Sequence, residues 1–320
     1  MKYQKRVCLK TIAYELGISV NTVSRALRDC DDISEHTKEK VRKMAIELGY
    51  LPNNLLYSIN NGETKSVALI INNVKNYYFS IMNDRLLYYL REEGYLANII
   101  CLYGNAFNTS IVKECIYQRV DMIVTFVEPT KEALELVHIN HLPLIMCGRK
   151  ISKKYCDTLY TDDLKGGALA ADYLLRKGAE TFIYLHVDGS ECSVRRYLGF
   201  KRRLGEEKDE FTLKKIRAED FDSKIEEIRS YPSLGIFAYN DEHLFILLDK
   251  LKQRRFDLSQ IHFIGYDGVC KNMSGTIKIP SIAFDYDAMA HEVVKLIKDK
   301  KDENEKHKSM CFDVYLEDIE

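Results

Sequence analysis

Apolar residues recur along this chain with two different periods, and the change between them divides it. From Leu9 to Leu16 the spacing is helical, with Leu9, Ile12, Ala13 and Leu16 on one face. Gly17 stops that helix. Ser19 is a good N-cap for a second helix, whose inward residues are Val23, Ala26 and Leu27. Ser34 caps a third, with Val41, Ala45 and Leu48 inside and Gly49 closing it. Two short helices joined by a glycine-containing turn, with a third in support, make a helix-turn-helix.

From residue 65 the pattern becomes short apolar, β-branched runs. They are "SVALII" (66–71), "LANIIC" (96–101), "DMIVTFV" (121–127), "LPLIMC" (142–147), "TFIYLH" (181–186), "LGIFAY" (234–239) and "IHFIGY" (261–266). Helical stretches fall between them, at 79–93, 164–177, 194–205, 241–252 and 286–299. This alternation predicts parallel sheets covered on both faces. About 250 residues exceed what one such sheet needs, so two α/β subdomains are expected.

Charge sharpens the division. The 320-residue chain carries a net charge of −1, yet residues 1–28 hold Lys2, Lys5, Arg6, Lys10, Arg25 and Arg28 against Glu15 alone. A basic end on a near-neutral body is suited to a polyanion. On the second helix, Val20, Asn21, Thr22 and Arg25 lie opposite the buried face. Asn and Arg can bond adenine and guanine edges bidentately, and Val can touch a thymine methyl. Ser19, Thr22 and Ser24 are short donors suited to phosphate.

The nine Cys are scattered, with neither a CxxC pair nor metal-ligand spacing. They read as reduced thiols, and no metal or cofactor is expected. No apolar run approaches the ~20 residues of a membrane span, and no leader-like segment opens the chain, so a cytoplasmic protein is expected. The sequence has no GxGxxG, GxxxxGK[ST] or GxSxG motif, and its eight His are dispersed. No nucleophile has a visible base, so no enzyme is expected.

In open α/β sheets, ligands bind beyond the carboxyl ends of the strands. Just past the apolar runs stand Asn73, Glu128, Arg149, Asp188, Asn240 with Asp241, and Asp267. These polar groups suit a hydroxyl-rich or carboxylated small molecule. Asp241 also reads as a plain helix N-cap.

The segment "VCLKTIAYELGISVNTVSRALRDCDDISEHTKEKVRKMAIELGYLPN" resembles the DNA-binding headpiece of the lactose-repressor (LacI/GalR) family. The resemblance implies that Val20, Asn21 and Arg25 read bases and that Ser19, Thr22, Tyr50 and Asn53 hold phosphates. It places a hinge helix at "PNNLLYSI", with Ile59 as the residue wedged into the minor groove. Three positions depart from the family pattern: Cys8 replaces a Thr cap, Leu56 a small Ala, and Tyr57 a common Arg. Across the body the chain resembles, more weakly, a periplasmic-binding-protein-like domain. There "NNVKNYYF" implies ligand-stacking roles for Tyr78 and Phe79. "RYLGF" implies that Arg196 clamps a hydroxyl or carboxylate, and "FAYND" and "IGYD" imply ligand roles for Asn240 and Asp267. "IAFDYDAM" departs from the family pattern, and no ligand residue is carried over from it.

The expected organisation is a headpiece at 1–51, a hinge at 52–64 and an effector-binding and dimerisation domain at 65–320. Within the last, one subdomain spans about 65–161 plus 286–306 and the other about 162–285 plus 307–320. The expected function is a homodimeric, sequence-specific transcriptional regulator, a repressor, bound to pseudo-palindromic double-stranded DNA. A sugar or related metabolite would control it. A solute-binding or sugar-acting protein with the same body is the alternative.

Overall fold

The computed structural model describes residues 7–50, 64–149, 156–229, 231, 233–259, 261–272, 279–299 and 307–318. The chain divides into two compact units, Met1–Thr64 and Lys65–Glu320. Asn53, Leu56, Tyr57 and Ile59, and with them the expected hinge helix, lie outside the described residues.

The first unit holds α1 (Leu9–Leu16), α2 (Val20–Leu27) and α3 (Glu35–Glu47). Ile12, Ala13, Val23, Ala26, Val41 and Ala45 form its buried core. Gly17 ends α1 in the left-handed region at φ 63°, a conformation glycine adopts without strain. Ser19 and Ser34 cap α2 and α3, accepting the N–H of Thr22 and Thr37. At the start of α1, where Cys8 stands, Thr11 Oγ1 accepts the Cys8 N–H at 3.3 Å.

The second unit contains two six-stranded sheets. The first lobe has β1 (Ser66–Ile71), β2 (Leu96–Cys101), β3 (Met122–Thr125), β4 (Leu144–Cys147) and β5 (Asp157–Thr161). Its helices are α4 (Tyr77–Glu92), α5 (Thr109–Tyr117) and α6 (Lys131–Ile139). The chain then crosses to the second lobe, which has α7 (Asp163–Arg176), β6 (Thr181–His186), α8 (Glu191–Glu207), β7 (Thr212–Arg217) and α9 (Phe221–Ile228). It continues with β8 (Leu234–Ala238), α10 (Asp241–Gln253), β9 (Ile261–Tyr266) and β10 (Ser281–Ala283). Helix α11 (Tyr286–Asp299) returns to pack on α4, and β11 (Ser309–Phe312) and β12 (Tyr315–Glu317) follow.

The first sheet runs β11-β5-β4-β3-β1-β2 and is parallel throughout. The second runs β12-β10-β9-β8-β6-β7, with only β12 antiparallel. The sequence reading placed residues 307–320 with the second lobe. Residues 309–312 instead pair with Thr158–Thr161 at the edge of the first sheet, and only β12 lies in the second. A four-residue strand with a half-exposed face carries no apolar run to announce its sheet.

Glycines fix one feature that the cleft depends on. A Cβ on Gly167 of α7 would sit 2.0 Å from the Arg196 carbonyl oxygen, and one on Gly199 of α8 would sit 2.0 Å from that of Leu164. The two helices therefore touch backbone to backbone, and that contact sets the height of Arg196 above the sheet.

Candidate functional site

In the first unit, Ser19, Val20 and Asn21 are exposed on α2, and Thr22, Ser24 and Arg25 are half-buried beside them. Val20 retains 38 % of its surface. The inner face, Val23 and Ala26, is fully buried. The helix therefore shows solvent the residues that can pair with base edges. Ser19 Oγ is committed to its own helix, accepting from Thr22 N at 3.0 Å and lying 2.8 Å from Thr22 Oγ1. Arg25 bonds Asp32 through Nη2 at 2.7 Å and Nε at 3.1 Å, so its guanidinium is aimed before any partner arrives. Tyr50, half-buried, packs on the unit's core.

In the second unit, the strand ends of both lobes converge on a cleft enclosing about 130 Å3. Tyr78 and Phe79 enter it from the first turn of α4, which begins there because Asn76 caps it, accepting the Phe79 N–H at 3.3 Å. Phe126, Cys147, Gly148 and Arg149 follow β3 and β4, and Thr161 ends β5. The second lobe contributes Ser190, Cys192, Arg196, Tyr239, Asn240, Asp267 and Phe284. Tyr78 stands at the centre of the aromatic wall, with ring centroids 5.4–6.1 Å from those of Phe79, Phe126, Phe284 and Tyr286.

Opposite that wall is a buried charge cluster. Arg196 Nε donates to Asp163 Oδ1 at 2.8 Å, and its Nη1 donates to the Tyr239 carbonyl and lies 3.7 Å from Asp267 Oδ1. The guanidinium also lies flat on Tyr266, 3.4 Å from the ring centroid. Burial dominates at Asp267: it pushes the carboxyl up to about 7, against the opposing pull of Arg196 and with help from the charges of Asp163 and Glu242. Asp267 also holds a left-handed φ of 104°, fixed by Tyr286, whose hydroxyl donates to its carbonyl at 2.8 Å. Burial likewise raises the Cys192 thiol, to about 12, so it stays protonated. Asn240 caps α10 through Oδ1, accepting the His243 N–H at 3.0 Å.

Of the cleft residues read from sequence, Tyr78, Phe79, Arg149, Arg196, Asn240 and Asp267 line it together. Asn73 does not. Its Oδ1 accepts the N–H of Lys75 and of Asn76, both at 2.9 Å, so it shapes the loop before α4. Asp241 is not the cap either; it is wholly buried one residue further on. Its carboxylate accepts from Ser281 Oγ at 2.8 Å and from Val269 N at 2.9 Å. Glu128 sits beside Arg149 at 3.4 Å, and Asp188 lies 3.4 Å from His186, both outside the lining. Sequence reasoning missed Asn76, Phe126, Cys147, Thr161, Cys192, Tyr239 and Phe284. Their signal was position alone, just past a strand or at a helix start.

Fold and sites together define a class: a helix-turn-helix DNA-binding unit joined to a two-lobed α/β body with a cleft at its strand ends. The family model described as "Bacterial regulatory proteins, lacI family" matches residues 8–53. A transcriptional repressor of Vibrio atlanticus, PurR, is 26% identical over 276 residues, 82% of each chain. The lac repressor bound to ONPG superposes with a TM-score of 0.79 at 16% identity, over 98% of this chain and 99% of that one. A LacI-family regulator from Enterococcus faecalis, solved with bound ribose, has a TM-score of 0.68 at 21% identity, over 79% and 97%. Residues 8–53 thus match a lacI-family DNA-binding unit, and the chain is similar to a transcriptional repressor over 82% of its length. Among the described residues no helix is long and apolar enough to cross a membrane.

Proposed function

We propose that this regulator is a homodimeric repressor whose hold on double-stranded operator DNA is set by one monosaccharide-sized ligand in the body cleft. The carrying observation is the cleft's division into an aromatic wall around Tyr78 and a buried polar wall built on Arg196 and Asp267. A sugar ring offers both faces at once: C–H groups for aromatic rings, and hydroxyls that donate to a carboxylate and accept from a guanidinium. Size supports the reading, because a cavity of about 150 Å3 holds a single six-membered ring. A disaccharide would have to part the lobes.

On the DNA side, Val20, Asn21 and Arg25 read base edges and Ser19, Thr22 and Tyr50 sit against phosphates. Asn53 and the Ile59 wedge complete the interface. Two half-sites require two headpieces, hence a dimer. The first lobe has a face for it: Leu96 and Ile99 on edge strand β2, with Leu87 and Tyr88 on α4, leave large apolar side chains exposed.

The test has two arms. In thermal melts, pentoses, hexoses and sugar acids, with D-ribose first, should raise the melting point of the full chain, while flat heteroaromatic bases should not. The stabilising compound should then shift the anisotropy of an operator selected from random duplex DNA. If no monosaccharide stabilises the protein, the ligand class is wrong. If selection yields no preferred sequence, the DNA reading is wrong.

A further inference from the structure

Besides the Cys192 thiol, which donates to the Gly148 carbonyl at 3.0 Å, two further contacts among the described residues join the lobes across the cleft. Asn76 Nδ2 in the first lobe donates to the Glu242 carboxylate on the first turn of α10 in the second. One residue along from Asn76 and about one helical turn along from Glu242, Tyr77 and Phe245 meet edge to face, with centroids 5.9 Å apart at 87°. Asn76 is doubly used. Its Oδ1 caps α4 on the Phe79 N–H while its amide reaches across the cleft. One side chain thus ties the turn that carries Tyr78 and Phe79 to the opposite lobe. We infer that Asn76–Glu242, backed by Tyr77–Phe245, is a latch that holds the two lobes together across the cleft and gates ligand entry.

The chemistry suits a latch. An amide bonded to a carboxylate is stronger than a neutral pair, yet Asn76 and Glu242 are both only half-buried, so each can exchange the bond for water. The lobes are joined by chain crossings at 161–163, 283–286 and 312–315, and hinge opening about such strands is a common two-state motion. A latch that must break first favours ligands able to replace its closing energy with their own contacts. Asn76 and Glu242 then act as positioning residues, setting both ligand size and the resting state of the regulator. The regulatory half of this inference rests on the ligand reading above; the latch itself does not.

The protein carries its own reporter. Cys147 lies in the cleft wall, 1% exposed, and Cys115 is fully buried in the separate core on the far face of the same sheet. The full ligand-free chain is alkylated with N-ethylmaleimide and mapped by peptide mass. Asn76→Asp keeps a capping oxygen on α4 but sets a carboxylate against Glu242. Cys147 should react about tenfold faster, the scale of one lost charge-assisted bond, with Cys115 unchanged. The reversed pair, Asn76→Asp with Glu242→Gln, restores a donor facing an acceptor and should restore protection. Wild-type Cys147 reactivity in Asn76→Asp would overturn the latch. So would parallel acceleration of Cys147 and Cys115, which marks loss of the lobe rather than opening. Exposed Cys147 with unaltered operator affinity would overturn the regulatory half alone.

Discussion

The two carboxylates beside Arg196 should behave oppositely when neutralised. Asp163 is bonded to the guanidinium at 2.8 Å, whereas Asp267 is 3.7 Å away and its carboxyl is raised from 3.8 to about 7 by burial. An aspartate whose folded pKa lies above its unfolded one holds its proton more tightly when folded. Its neutral form therefore costs nothing below about pH 4, and the penalty of ionising it grows as pH rises, complete above about 7. At 1.36 kcal/mol per unit, a shift of about three units bounds the penalty near 4 kcal/mol. Asp267→Asn removes that titration. The variant should match wild type below about pH 4 and gain on it steadily as pH rises, becoming more stable at pH 8 by about 1–3 kcal/mol once relaxation is allowed for. Asp163→Asn should instead destabilise at every pH, because it strips a buried guanidinium of its nearest partner. The assay is urea unfolding of wild type and both variants from pH 5 to 8.5. The difference between wild type and Asp267→Asn is the quantity to read. His186, His243 and His262 have depressed pKa values, which tilt stability the other way and cancel in that difference. A difference that stays flat between pH 5 and 8 would refute the reasoning, as would Asp163→Asn being as mild as Asp267→Asn.

Further outcomes follow from other contacts. Arg196→Met keeps bulk but leaves Asp163 buried and unpaired, and should cost about 3–5 kcal/mol in urea unfolding while abolishing any thermal shift by D-ribose. Gly167→Ala drives a methyl into the Arg196 carbonyl 2.0 Å away, and should lower stability by about 3 kcal/mol and weaken ligand binding together, read by melts and titration calorimetry. Asn21→Ala should lose about 1–3 kcal/mol on the preferred operator and nearly nothing on random DNA, measured by anisotropy. Ile99→Lys, on the exposed edge strand, should shift sedimentation equilibrium from dimer to monomer without changing the melting profile of the lobe.

Much of this molecule was legible in the chain. The headpiece helices were readable because their signals are local: Gly17, Ser19 and Ser34 punctuate them, and all three act as read. The long central strands were equally plain, since β1 and β8 are buried on both faces and read as unbroken apolar runs. What escaped was whatever lacks that uniformity. β5, "DTLYT", is wholly buried yet half polar, because Asp157 and Thr158 find partners across the sheet in Lys308 and Ser309. β7, "TLKKIR", is an edge strand with alternate residues in water. Pairing and edge position are properties of the assembled sheet, and no window of sequence contains them.

The cleft divides along the same line, and the division bears on how it works. Arg196, Asn240 and Asp267 were readable because a charged or amide side chain beyond an apolar run has few other reasons to be there. Phe126, Cys147 and Phe284 were not, because an apolar residue at a strand end is indistinguishable from core until the opposite lobe is seen. Asn73 and Asp241 erred the other way: each is polar and well placed, but Asn73 is consumed by two backbone N–H groups and Asp241 by the Ser281 hydroxyl and the Val269 N–H. A polar side chain can serve a ligand only with the valence its own fold leaves free. By that measure Asn240 keeps its amide and Asp267 keeps its carboxyl, 3.7 Å from Arg196 and raised to about 7 by burial. A bound hydroxyl donating to Asp267 would favour the ionised form, so ligand uptake should release a proton near pH 7. Calorimetric titrations in buffers of different ionisation enthalpy would detect it. Heats independent of buffer would mean that Asp267 is not the acceptor, whatever its place in the cleft.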